Sequence, residues 1–187
     1  MRKRWCKMFN IQLLNIEWKS IYLCKIKQVP GKKFAEFNYK LLNNLIIPGY
    51  ILNKWNQNIP KTCSISQRND TTEHMLFLCP RIRSIWEKVG EKLQIHISWK
   101  TIVLGLNENN NRNTARNVIF TIIAYCIYAN WVKCHQPDSN TNFISINISQ
   151  IVKSYLIINK MIFKNIVKNK SWYNSFNNYI NAAIDAL

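Results

Sequence analysis

From Asn117 to Val132 the chain reads NVIFTIIAYCIYANWV, sixteen residues without a charge. A helix over this segment is apolar on nearly every side, so other elements or lipid must enclose it. The run falls short of the ~20 apolar residues that carry a helix across a bilayer. It also contains Asn117, Thr121 and Asn130, and Arg112, Arg116 and Lys133 stand near its ends. A buried core helix is therefore expected here rather than a membrane span, and the rest of the chain has to supply what wraps it.

Amphipathic segments on both sides can do so. Phe34, Phe37, Leu41, Leu42 and Leu45 recur at helical spacing, with Lys32, Lys33, Glu36 and Lys40 largely on the other face and Pro48-Gly49 ending the run. Tyr50, Leu52 and Trp55 suggest a second short segment, and Pro60 opens a cysteine-bearing loop. After Pro80, the stripe Ile82, Ile85, Trp86, Val89 and Leu93 predicts a helix that sends Arg81, Arg83, Lys88 and Lys92 elsewhere, weakened but not ended by Gly90. Residues 16–28, IEWKSIYLCKIKQ, suit either a strand or a short helix.

An Asn-rich connector, GLNENNNRNT at 105–114, is the clearest internal boundary, and Thr114 is the expected cap of the apolar helix. Residues 136–142, with Pro137 and Asp138, read as a turn. Beyond it Ile148, Ile151, Val152, Tyr155, Leu156 and Ile158 fit a helix running on through Met161, Ile162, Ile166 and Val167, with Lys160, Lys164 and Lys168 along one side. A last helix is expected from Trp172 to Leu187. The fold class that follows is mainly α: residues 1–106 form a small helical domain around a Cys/His loop, and residues 107–187 a helical C-terminal region.

At 187 residues and 48% apolar content the chain can bury a sizeable core. Lys and Arg number 26 against 9 acids, a formal charge of +17, which points to a polyanionic partner, nucleic acid first. Codons for Asn, Ile and Lys are rich in A and T, so coding bias is a second source of the excess. The six cysteines, at 6, 24, 63, 79, 126 and 134, are irregularly spaced, and the stretch after MRKRW is too polar for a signal-peptide core. Reduced thiols and an intracellular location, cytoplasm or nucleus and not secreted, are expected.

The segment Thr62 to Pro80, TCSISQRNDTTEHMLFLCP, holds Cys63, His74 and Cys79 at zinc-ligand spacing, with Ser66 where a fourth ligand would stand. Zinc takes thiolate and imidazole in a closed tetrahedron, and two ligands from a tight turn plus two from a helix start is a common way to build one. With its Asp70-Thr71 pair, the segment resembles the zinc-binding domain that follows the polymerase in reverse transcriptases of non-LTR (LINE-like) retrotransposons. The flanks share the resemblance: FAEFNYKLLNNLIIPGYILNKW (Phe34 to Trp55), CPRIRSIWEKV (Cys79 to Val89) and ISWKTIVLG (Ile97 to Gly105). It covers about residues 17–106.

The resemblance implies a zinc knuckle that helps hold RNA or DNA near a polymerase. A serine hydroxyl stays protonated near neutral pH and is a poor zinc ligand, so zinc is expected to be held weakly or not at all. Three outcomes stay open: water or Asp70 completing the shell, a thiol such as Cys126 or Cys134 folding in, or no ion. The nine acids are scattered, without the paired carboxylates of a polymerase or an endonuclease-like cluster. The chain is thus expected to be a degenerate or fragmentary copy that is not itself an enzyme and takes no small-molecule substrate. It would bind RNA or DNA with little sequence preference, with Arg81, Arg83, Lys88 and Lys92 as candidate phosphate contacts. Trp55, Trp86 and Trp99 could stack on bases, but core packing is the expectation; His96 and His135 are read as ordinary.

Overall fold

The computed structural model describes residues 2–12, 17–106, 110–134, 148–167 and 171–187. Among them it is mainly helical, with no strand; an isolated antiparallel bridge joins Thr62 to Asn69. The helices in chain order are α1 (Arg2–Met8), α2 (Trp18–Tyr22), α3 (Lys32–Leu42), α4 (Gly49–Trp55), α5 (Pro80–Leu93), α6 (Trp99–Leu104), α7 (Asn111–Cys134), α8 (Ile148–Val167) and α9 (Tyr173–Asp185). Two π-helical turns, Leu23–Lys27 and His74–Leu78, extend α2 and lead into α5. The ambiguous segment 16–28 is thus helical from Trp18 to Lys27. The predicted turn at 136–142 lies outside the described residues.

The charge-free run lies inside α7, and the core forms around it. Val118, Ile119, Phe120, Ile122 and Ile123 have no exposure, and α7 packs on α3, α6, α8, α9 and both π turns. Truncating any one of these isoleucines to alanine should cost ~2–5 kcal/mol, from the lost burial and the cavity left behind. By length and composition alone α7 is long and apolar enough to cross a membrane. Here its apolar surface is taken up largely by the other helices. Both predicted regions contribute to one hydrophobic core, since Phe163, Phe176 and Ile180 join Phe34, Trp86 and Ile102 in it.

Several expectations shift by a residue or a face. Thr114 lies inside α7; Asn110 accepts the Asn113 N–H at 2.8 Å through its side chain and caps the helix instead. Leu45 falls beyond the end of α3 and is 54% exposed, because Asn44 takes a left-handed conformation (φ 55°) before Pro48-Gly49 is reached. On α8, Ile158, Met161 and Ile162 face outward, while Val152, Leu156 and Phe163 face the core. Trp86 and Trp99 are buried as expected, but Trp55, at the last turn of α4, is 69% exposed.

The core also encloses a polar knot. Lys25, fully buried, donates to the Ile102 carbonyl at 2.8 Å and to the Thr121 hydroxyl at 3.5 Å. The Asn38 amide donates to the Lys25 carbonyl and to Thr121, whose hydroxyl in turn reaches the Asn117 carbonyl at 2.9 Å. Together these groups tie α3, α6 and the turn after α2 to α7.

Candidate metal centre

A hairpin, a π turn and a helix start meet at Cys63, Ser66, His74 and Cys79. The Cys63 N–H donates to the Arg68 carbonyl and the Gln67 N–H to the Cys63 carbonyl, both at 2.9 Å. Gln67 adopts φ 55°, which folds residues 63–67 tightly enough to bring Cys63 and Ser66 to one side. At the other end, the Thr71 hydroxyl accepts the His74 N–H at 3.0 Å and caps the π turn.

His74 and Cys79 are five residues apart, a separation that an α-helix, at ~100° per residue, would put on different faces. The π turn solves this. Its i→i+5 bond, from the Cys79 N–H to the His74 carbonyl at 2.9 Å, brings the two side chains together. Trp86 of α5 then fixes the turn by donating its indole N–H to the Leu76 carbonyl at 2.8 Å.

The ligand atoms of Cys63, His74 and Cys79 all lie within 4.8 Å of one another, a group that could hold a metal ion. The two sulfurs are 3.9 Å apart. A tetrahedral ion with thiolates at ~2.3 Å would set them about 3.8 Å apart, so the spacing of the two sulfurs suits zinc. Ser66 stands beside the group, its Oγ 3.1 Å from His74 Nε2. The three residues singled out by their spacing thus come together in space.

The local electrostatics suit a ligand set. Burial would raise the Cys63 thiol, but the Ser66 and Ile65 N–H groups, the Ser66 hydroxyl and the Cys79 thiol stabilise its thiolate and hold its pKa below the ordinary value. Cys79 moves the other way, raised first by burial and then by the neighbouring Cys63 charge, although the Arg81 and Ile82 N–H groups at the start of α5 oppose the rise. Burial lowers His74 and the nearby Asp70 carboxylate partly offsets this, leaving the ring neutral and able to ligate at neutral pH.

The other candidate ligands have different places. Asp70 accepts the Trp131 indole N–H on Oδ2 at 2.8 Å, which ties α7 to the hairpin. Its carboxylate also explains Gly49, where a Cβ would come within 2.6 Å of Asp70 Oδ2. Cys126 is buried on α7 with its sulfur toward the Ile151 carbonyl, and burial pushes its pKa up to about 12. Cys134 shares with Cys63, His74, Cys79 and Trp131 a cavity of about 360 Å³, yet its sulfur is outside the three-residue group and faces the Asn130 carbonyl at 2.8 Å. Trp131 is the site residue that spacing did not reveal; only the fold brings it to Asp70.

Arg81, Arg83, Lys88 and Lys92 are all exposed on α5, the helix that begins beside Cys79. Arg83 pairs with Glu87 at 2.9 Å, both about two-thirds exposed, and Glu91 shares the outer surface, so the face is mixed with an excess of cations. His96 is exposed, and His135 lies outside the described residues. Comparison with protein-family models, with curated proteins and with solved structures finds no match for this chain.

Proposed function

We propose that this chain is a non-catalytic, nucleic-acid-binding helical domain of the kind that follows the polymerase in non-LTR reverse transcriptases. The observation that carries the reading is the convergence of Cys63, His74 and Cys79, with Ser66 in hydrogen-bond contact with His74. The three residues stand in the order and spacing of the knuckle that the sequence resembles, and this likeness supports the reading. When bound, zinc would cross-link the hairpin to the start of α5 through Cys63, His74 and Cys79. The helix so anchored presents Arg81, Arg83, Lys88 and Lys92 to phosphates, contacts that carry affinity without sequence information.

Loss of one thiolate weakens the site, since a complete structural site is worth ~10–16 kcal/mol of apparent binding energy. A second reading rests on the Ser66–His74 hydrogen bond, in which His74 Nε2 already has a protein partner: a helical structural or protein-interaction module whose metal site is lost. Metal analysis of protein purified from zinc-containing medium separates the two, beside the Cys63→Ser variant. Stoichiometric zinc that disappears in the variant supports the knuckle, while zinc-free protein supports the second reading. Mobility shift with single-stranded RNA at low and moderate salt tests the nucleic-acid half, and absence of binding at low salt refutes it.

A further inference from the structure

Trp18 and Tyr22 stand four residues apart on α2 and therefore share a face, as do Tyr39 and Asn43 at the end of α3. The two faces border an open cleft of about 360 Å³ floored by the buried side chains of Ile21 and Leu42. This volume lies within the ~300–1,000 Å³ usual for small-ligand sites. Its aromatic walls are left to water: Tyr22 is 46% exposed and Tyr39 50%. The two rings sit beside the core without entering it.

The surroundings are cationic. Lys19 lines the cleft, and α1 docks against its floor through the Trp5 indole N–H, which donates to the Leu42 carbonyl at 2.8 Å. Lys3, Arg4 and Lys7 are exposed on α1, a helix without an acid. The nearby carboxylates are few: Glu17 at the start of α2, and Glu36, already paired with Lys40 at 3.1 Å. A purely apolar peptide would use the rings but not the charges, whereas a sugar-phosphate chain with a free base uses both.

We propose that the cleft between α2 and α3 is a stacking site for an unpaired base of a single-stranded nucleic acid, with Tyr22 and Tyr39 as the stacking faces and Trp18 as the back wall. Lys19 and the cations of α1 hold the adjoining phosphates. The site rests on the nucleic-acid reading given above and locates a second contact region apart from α5. Stacking tolerates any base because every base has a flat π face, so the cleft adds affinity without demanding a sequence.

The test compares labelled oligouridylate with an abasic ribose-phosphate strand of equal length, binding each to the full chain and to Tyr22→Ala/Tyr39→Ala. The wild type should prefer the base-bearing strand by about tenfold or more. The double variant should lose that preference and keep its affinity for the abasic strand within about twofold, because phosphate contacts are untouched. Circular dichroism checks the fold, and Tyr22→Leu/Tyr39→Leu, which retains apolar bulk, decides the matter should the alanine variant unfold. Binding to both strands with a base preference unchanged by the variants, or with none in the wild type, overturns the cleft and leaves the nucleic-acid reading standing. Failure to bind either strand overturns both.

Discussion

Lys25→Met should stabilise the protein near neutral pH and cease to do so in alkali. Burial lowers the Lys25 pKa from 10.5 to about 7, with the neighbouring Cys24 acting slightly in the other direction. Between those two values the unfolded chain holds a proton that the folded chain lacks, so stability rises with pH at ~1.4 kcal/mol per unit. Well below pH 7 the full penalty of about 5 kcal/mol applies, at pH 7 about 4, and well above pH 10.5 it is gone. Methionine removes the penalty but leaves the Ile102 carbonyl without its 2.8 Å donor, a cost of ~1–3 kcal/mol. The net expectation is a gain of ~1–3 kcal/mol at pH 7, and a loss of up to ~2 kcal/mol at pH 10. Urea unfolding of both proteins at pH 6, 7, 8.5 and 10 measures the difference, in which the titration of shared tyrosines and cysteines cancels. A variant less stable than the wild type at pH 7, or a difference that does not change with pH, would refute this account of the buried amine.

Ser66→Cys should complete the metal site and tighten zinc binding about 100-fold, from ~3 kcal/mol as one ligand's share of a complete set; competition with a chromophoric chelator reads it, and unchanged affinity would mean that Ser66 does not face the ion. Gly90→Ala should destabilise by ~1–3 kcal/mol although alanine is the better helix former, because the new Cβ would lie 2.8 Å from the Ile95 carbonyl oxygen; a more stable variant in thermal unfolding contradicts that packing. Trp131→Phe leaves the buried Asp70 carboxylate short of one donor and should cost ~1–3 kcal/mol, while a change under about 0.5 would show that the link from α7 to the hairpin carries little.

Much of this was legible in the sequence because local periodicity determined it. The charge-free run had to be enclosed, and α7 is; the stripes of α3 and α5 face the core as their spacing requires. The metal-ligand register was legible for a similar reason, since a tight turn and a helix start fix where four side chains can go. What periodicity could not show depends on distant partners. Lys25 lies in a segment whose pattern leaves strand and helix open, and only the fold brings the Ile102 carbonyl of α6 to it across 77 positions. Asp70 looked like a spare ligand until α7 placed Trp131 beside it. The outward Ile158, Met161 and Ile162 of α8 fit an apolar stripe, but the helix buries only one side. Trp55 lies at the end of a helix too short to carry it inward.

The proposed phosphate-directed binding from α5 is exposed to a salt titration. Affinity for single-stranded RNA, measured by anisotropy at four or more salt concentrations, should fall with a log–log slope of about −3 or steeper if Arg81, Arg83, Lys88 and Lys92 each meet a phosphate, about 60-fold between 50 and 200 mM. Replacing all four by glutamate should flatten that slope by about 3 units. A slope near zero, or one that the four substitutions leave unchanged, would contradict the claim.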